Sequence, residues 1–149
     1  MKEITLKAIK KNIPVVTDFV NDKLEEEDCP PKAMMQVDIA IDEIFVNIAN
    51  YAYEGESGNV TVQVDIDDDN GKQMVLTFID SGIPFNPLEA GDPDITLPAE
   101  KRSVGGLGIF IVRKTMDGMK YMRKNNRNIL VIRKNLLDDT DKSDKRWKR

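Results

Sequence analysis

Two runs with apolar residues at every second position, one on each side of a tight turn, constrain this chain more than any other feature. Val60, Val62, Val64 and Ile66 alternate with polar residues, and the partner stretch runs from Gln73 to Asp80. Period-two alternation turns one face of a strand to a core and the other to water. Asp69-Asn70-Gly71 between them is hairpin chemistry, because Asn and Gly accept the left-handed backbone that a tight β-turn demands. A hairpin with one apolar face has to be covered, and the rest of the chain must supply the cover.

Helical patterns supply it. From about Asn12 to Glu27, the residues Ile13, Val16, Phe19, Val20 and Leu24 recur at helical spacing. Cys29-Pro30-Pro31 ends that helix and opens the next, since proline lacks an N–H and is tolerated in a first turn but not inside a helix. The second helix is expected over 32–53, with Val37, Ile41, Ile44, Ile48 and Ala52 as one apolar stripe. Ile39 and Val46 are apolar on another side, which predicts cover on more than one flank. Residues 2–8 alternate as an initial strand does. Ile109, Ile111, Val112 and Met116 predict a third helix ending near Asp117-Gly118. Two strands follow, 119–124 and 129–134, joined by Asn125-Asn126-Arg127-Asn128. The order β-α-α-β-β-loop-α-β-β predicts an α/β fold: a two-layer α/β sandwich whose sheet is mixed but mainly antiparallel, with helices on one face. Residues 1–137 are expected to form one domain and the charged residues 138–149 a flexible tail.

Composition narrows the chemistry. The chain has 149 residues and contains no histidine, which removes Ser-His-Asp and Cys-His catalysis, HExxH zinc sites and a phosphohistidine relay. The single Cys29 allows no intrachain disulfide and argues against a cysteine metal cluster. A net charge of −4 argues against direct nucleic-acid binding. No apolar run approaches a membrane span and none at the N-terminus suits a signal peptide, so a cytoplasmic protein without membrane contact is expected. Asp65, Asp67, Asp68 and Asp69 invite a calcium reading, but an EF-hand loop would want Gly at 70 and Glu at 76 where the chain has Asn70 and Leu76. Arg113, Lys114, Lys120, Arg123, Lys124 and Arg127 cluster late in the chain, as a solvated face or a partner surface. Carboxylates, amides, hydroxyls and a supplied metal or cofactor remain.

Three segments can use them. At about 100° per residue, Glu43, Asn47 and Asn50 fall within roughly 60° of one another on a polar strip. The carbonyl of Asn47 can ligate Mg²⁺, a hard cation that takes oxygen ligands. Glu43 can polarise a hydroxyl or water, although Glu and Asn four apart are common on solvated helix faces. In Asp80-Ser81-Gly82-Ile83-Pro84-Phe85-Asn86-Pro87, a buried carboxylate at Asp80 can accept from an exocyclic amine such as that of adenine. Gly82 lets the backbone approach a planar ring. The same Asp-Ser-Gly is also an ordinary strand-ending turn. Residues 81–104, rich in Pro, Gly and Asp, read as a lid or a disordered stretch. Gly105-Gly106-Leu107-Gly108 then opens the third helix, where backbone N–H groups can seat phosphate oxygens. It is neither a Walker A loop nor a dinucleotide fingerprint. Lys101, Arg102 and Ser103 sit just upstream and could cap a phosphate.

Taken together these residues resemble the GHKL (Bergerat-fold) ATPases. Glu43 and Asn47 resemble the N box, Asp80-x-Gly82 the first glycine box, and Gly106-Leu107-Gly108 the second. Residues 79–87 and 105–112, with Met116-Asp117, look more narrowly like the anti-sigma-factor serine/threonine kinases. The resemblance implies ATP or ADP and Mg²⁺, with Glu43 as general base, Asn47 as the Mg²⁺ ligand and Asp80 as the adenine reader. Asn50, Gly82 and Phe85 would stand near the nucleotide, and Lys101, Arg102, Ser103, Gly105, Gly106, Leu107 and Gly108 near its phosphates. It further implies a homodimer that binds a sigma factor and a STAS-domain antagonist in turn and phosphorylates the antagonist. The chain departs from the family in two places: Tyr51-Ala52-Tyr53 stands where His-Ala-Tyr often closes the N box, and no Thr of the final strand is matched near Ile129–Ile132. A non-catalytic, nucleotide-gated binding module of the same fold is the alternative.

Overall fold

The alternating stretches pair as expected, and the strand that joins them from the far end of the chain determines where the site lies. A computed structural model describes residues 1–69, 71–89 and 106–137. In chain order the elements are β1 (Lys2–Lys7), α1 (Ile13–Glu26), α2 (Pro31–Asn47), a π-helical turn (Ile48–Ala52), β2 (Asn59–Asp67), β3 (Gln73–Asp80), α3 (Gly106–Thr115), β4 (Gly118–Lys124) and β5 (Arg127–Asn135). The sheet order is β1-β2-β3-β5-β4. The expected two-layer α/β sandwich is the one observed, but its sheet is not mixed: every pairing among the described strands is antiparallel.

Register makes the core. Val60, Val62 and Val64 of β2, Met74, Leu76 and Phe78 of β3, and Leu130 and Ile132 of β5 are buried on one face. They join Val16, Val20 and Leu24 of α1 and the stripe Val37, Ile41, Ile44, Ile48 and Ala52 in a single cluster. Burying each such large aliphatic or aromatic side chain contributes about 1.5–3 kcal/mol, which is what holds α1 and α2 on the sheet.

Three expectations are corrected. The second helix does not run as α-helix to Tyr53: it is α-helical to Asn47 and π-helical over the next turn. The flank carrying Ile39 is not covered, since Ile39 is 41% exposed and Met35 beside it is exposed too, while Val46 is half-buried. The last two strands are joined by two residues instead of four. Asn125 and Asn126 have φ of 54° and 59°, the pair of left-handed residues that a tight hairpin turn requires, so Arg127 and Asn128 already belong to β5. The acidic run does build a hairpin tip. Asp67 accepts from the Asp69 N–H at 3.0 Å and pairs with Arg133 at 3.2 Å, which together hold its carboxyl below the usual range. Asn70 and the tail 138–149 lie outside the described residues. Among the described residues no helix is long and apolar enough to cross a membrane.

Candidate active site

Alternation along β3 places Asp80 on the same face as Met74, Leu76 and Phe78, and it is only 6% exposed. A carboxylate buried among apolar side chains is costly unless it is hydrogen-bonded. Its Oδ1 accepts from the Gly82 N–H and from Asn128 Nδ2, both at 2.9 Å. Its Oδ2 has no partner among the described residues.

Asn128 lies opposite Asp80 in the β3–β5 register and is 5% exposed. Its amide also donates to the Ile83 carbonyl at 2.8 Å, and its Oδ1 accepts from the Phe85 N–H at 3.2 Å and the Tyr121 hydroxyl at 2.5 Å. All four hydrogen-bonding positions of the side chain are used. The segment after β3 is fastened from two more directions. Arg123 Nη1 donates to the Gly82 carbonyl, and the Ile83 N–H donates to the Ala52 carbonyl, each at 2.8 Å. Gly82 also has a reason to be glycine within the fold itself. A Cβ there would run into the Ala52 carbonyl and lie 2.6 Å from the Ala52 Cβ, so the close approach is to the π-turn.

That π-turn shapes the pocket's rim. An i→i+5 turn inside a helix is rare and concentrates at functional sites. Beyond it Tyr53 reaches back, accepting the Ser81 N–H at 2.9 Å and donating to the Asn59 carbonyl. Tyr51 is exposed and meets the exposed ring of Phe85 with centroids 6.1 Å apart and planes at 31°.

Between these parts lies a pocket walled by Ile44, Ile48, Ala52, Phe78, Ile109 and Leu130, into which Asn47, Asp80, Tyr121 and Asn128 bring polar groups, with Phe85 and Pro87 on the loop side. Few polar groups in an apolar concavity is the usual make-up of a small-molecule site. Glu43 stands one turn before Asn47, outside that lining, with its carboxylate against α3: a Cβ on Gly108 would collide with Glu43 Oε2. Asp80, Gly82, Phe85, Asn47, Glu43 and Gly108 are therefore brought together, and Gly106 and Leu107 belong to the first turn of α3. Asn50 is exposed and does not line the pocket, because the π-turn breaks the 100° advance on which its placement rested. Lys101, Arg102, Ser103 and Gly105 lie outside the described residues. Sequence reasoning missed Asn128, Tyr121, Tyr53 and Arg123. The signal for Asn128 was the Asn125-Asn126 doublet, which as a two-residue turn moves Asn128 into the strand and opposite Asp80.

Residues 6–134 match the family described as histidine kinase-like ATPase domain. Serine-protein kinase RsbW of Bacillus mycoides (strain KBAB4) is 29% identical over 104 residues, covering 67% of this chain and 63% of that protein. RsbW of Bacillus cereus (strain ATCC 10987 / NRS 248) is 28% identical over 99 residues, covering 64% and 60%. The chain thus spans less than two thirds of the length of these curated relatives. The catalytic domain of histidine kinase ThkA aligns with a TM-score of 0.46 at 12% identity, over 91% of this chain and 98% of that one.

Proposed function

The chain belongs to the histidine kinase-like ATPase domain family, and from that footing we propose that it is an ATP-dependent protein serine/threonine kinase working as a partner-switching anti-sigma regulator. Its substrate would be a STAS-domain antagonist, its competing partner a sigma factor, its working state a homodimer and its compartment the cytoplasm. The observation that carries the nucleotide reading is Asp80. One of its oxygens is fixed by two donors, the other has no partner among the described residues, and Asp80 lines an apolar pocket that would suit a base with an exocyclic amine. The name serine-protein kinase borne by the curated relatives supports the kinase reading.

Each residue then has a physical task. Asp80 Oδ2 accepts from the base amine, and Ile44, Ile48 and Leu130 exclude water around the ring. The carbonyl of Asn47 would hold Mg²⁺, which when bound neutralises phosphate charge. The first turn of α3, with Gly106, Leu107 and Gly108, would turn its backbone N–H groups to phosphate oxygens. Glu43, packed at that same helix start, takes the proton from the incoming serine or threonine hydroxyl as its oxygen bonds to the γ-phosphorus and the bond to the β-phosphate oxygen breaks, giving ADP and a phosphoprotein.

The test is to mix the protein with Mg-ATP labelled in the γ-phosphate and STAS-domain proteins from the same genome. Label on a STAS serine or threonine is expected, lost in Glu43→Gln while nucleotide affinity is kept. Full transfer by Glu43→Gln would overturn the general-base assignment. Nucleotide binding with no transfer to any STAS protein would point instead to a nucleotide-gated binding module.

A further inference from the structure

The hydrogen bonds around Asp80 say more than that a base can bind: they bear on which base. A carboxylate offers two oxygens with about two lone-pair sites each. Both sites of Asp80 Oδ1 are filled, one by the Gly82 N–H and one by Asn128 Nδ2. The backbone donor is fixed by the turn, whereas Asn128 is itself part of the pocket wall. Asn128 therefore stands between a bound base and the second oxygen. Its orientation is not free, either. A flipped amide would turn its oxygen to the Asp80 and Ile83 oxygens and its NH₂ to the Phe85 N–H, breaking the bonds to all three.

Purine bases differ on the edge such a carboxylate reads. Adenine presents one exocyclic amine beside an acceptor ring nitrogen. Guanine presents two adjacent donors, N1–H and the 2-amine, which match both oxygens of a carboxylate as a two-pronged donor does. With Oδ1 taken, guanine can satisfy only one of the two, and the other is left buried without a partner, a costly state for a polar group.

We infer that Asn128 is a specificity-determining residue: by occupying Asp80 Oδ1 it makes the pocket accept the single-donor edge of adenine and reject the two-donor edge of guanine. This rests on the nucleotide reading given above. It assigns Asn128 no part in phosphoryl transfer, only control over which oxygen of Asp80 a base can reach.

The test compares ADP, IDP and GDP by titration calorimetry on the full chain with Mg²⁺, for the unaltered protein and for Asn128→Ala. IDP carries the N1–H of guanine but lacks its 2-amine, so the GDP-to-IDP affinity ratio reports whether a second oxygen is open. The unaltered protein is expected to bind ADP most tightly and GDP no more tightly than IDP. In Asn128→Ala the ratio is expected to shift towards GDP by roughly tenfold, the worth of one hydrogen bond of about 1.4 kcal/mol. A purely structural role would weaken all three nucleotides together and leave the ratio unmoved, which would overturn the assignment. So would tighter binding of GDP than IDP by the unaltered protein, a result that needs no variant to fold. Failure of the unaltered protein to bind any of the three would instead overturn the nucleotide reading.

Discussion

Two glycines in the site show how one substitution can act through different neighbours. At Gly82 an added Cβ meets the backbone carbonyl of Ala52, and at Gly108 it meets the end of the Glu43 side chain. Backbone cannot move aside cheaply, whereas a carboxylate can rotate away. Gly82→Ala is therefore expected to cost about 1–3 kcal/mol, read as a lower urea midpoint with the slope unchanged. Gly108→Ala is expected to hold its midpoint, because alanine also favours the helix, while transfer in the labelled-ATP assay falls as Glu43 is displaced. A different residue carries a pH dependence. Between α1 and α2, Asp38 and Asn21 each bury a side-chain oxygen that lacks a partner among the described residues, and burial raises the Asp38 carboxyl above its usual range, against the smaller lowering effect of a side-chain hydrogen bond with Asn21. The folded state then holds the Asp38 proton more tightly than the unfolded chain does. The cost of the charged form is absent below the unfolded value, near 3.9, and fully present once pH exceeds the raised folded value. Asp38→Asn is expected to raise the melting temperature more at pH 7 than at pH 3.5, and equal shifts at both would refute the assignment.

Whole elements were legible wherever a single period ran through them. The α2 stripe of Val37, Ile41, Ile44, Ile48 and Ala52 is buried as read, because 3.6-residue spacing and core contact coincide along it. Uncovered Ile39 marks the limit of that reading: apolarity at a helical position says nothing of whether a second element lies opposite. Ile39→Lys is accordingly expected to change stability by no more than about 0.5 kcal/mol. Ile41→Lys, two positions on and fully buried, is expected to cost more than about 3 kcal/mol, and the pair can be compared by denaturant unfolding. The π-turn was not legible, since Ile48 to Ala52 has no composition that distinguishes one hydrogen-bonding pitch from another. It is the reason Asn50 left the polar strip. Of the candidate site, the nearness of Glu43, Asn47, Asp80 and Gly108 could be expected from the sequence because each lies at an element's edge or on its regular period. Asn128 could not be placed while the connection before it was counted as four residues, because its role depends on register with a strand far away in the chain.

At the scale of the whole molecule, the pocket is a seam between the helical layer and one end of the sheet, so a ligand there ties α2, α3, β3 and β5 together. Binding to the folded state alone stabilises it by mass action, about 2.7 kcal/mol at a hundredfold excess over Kd. For a chain of this size that corresponds to a melting temperature raised by roughly 5–10 °C. Mg-ADP is expected to give such a shift in differential scanning fluorimetry and to give none with Asp80→Ala. A shift that survives Asp80→Ala would place the nucleotide elsewhere. The sheet order has a further consequence, for the growing polypeptide on the ribosome. Asn128 is made 48 residues after Asp80, yet β5 must enter the sheet between β3 and β4. At about 5–20 residues per second, β3 waits roughly 2–10 s with one edge open before its neighbour emerges. Until then Asp80 lacks its Asn128 donor and the far wall of its pocket. A chain made only as far as β4 therefore has no finished pocket, and competence to bind a ligand there becomes a mark that synthesis has passed β5.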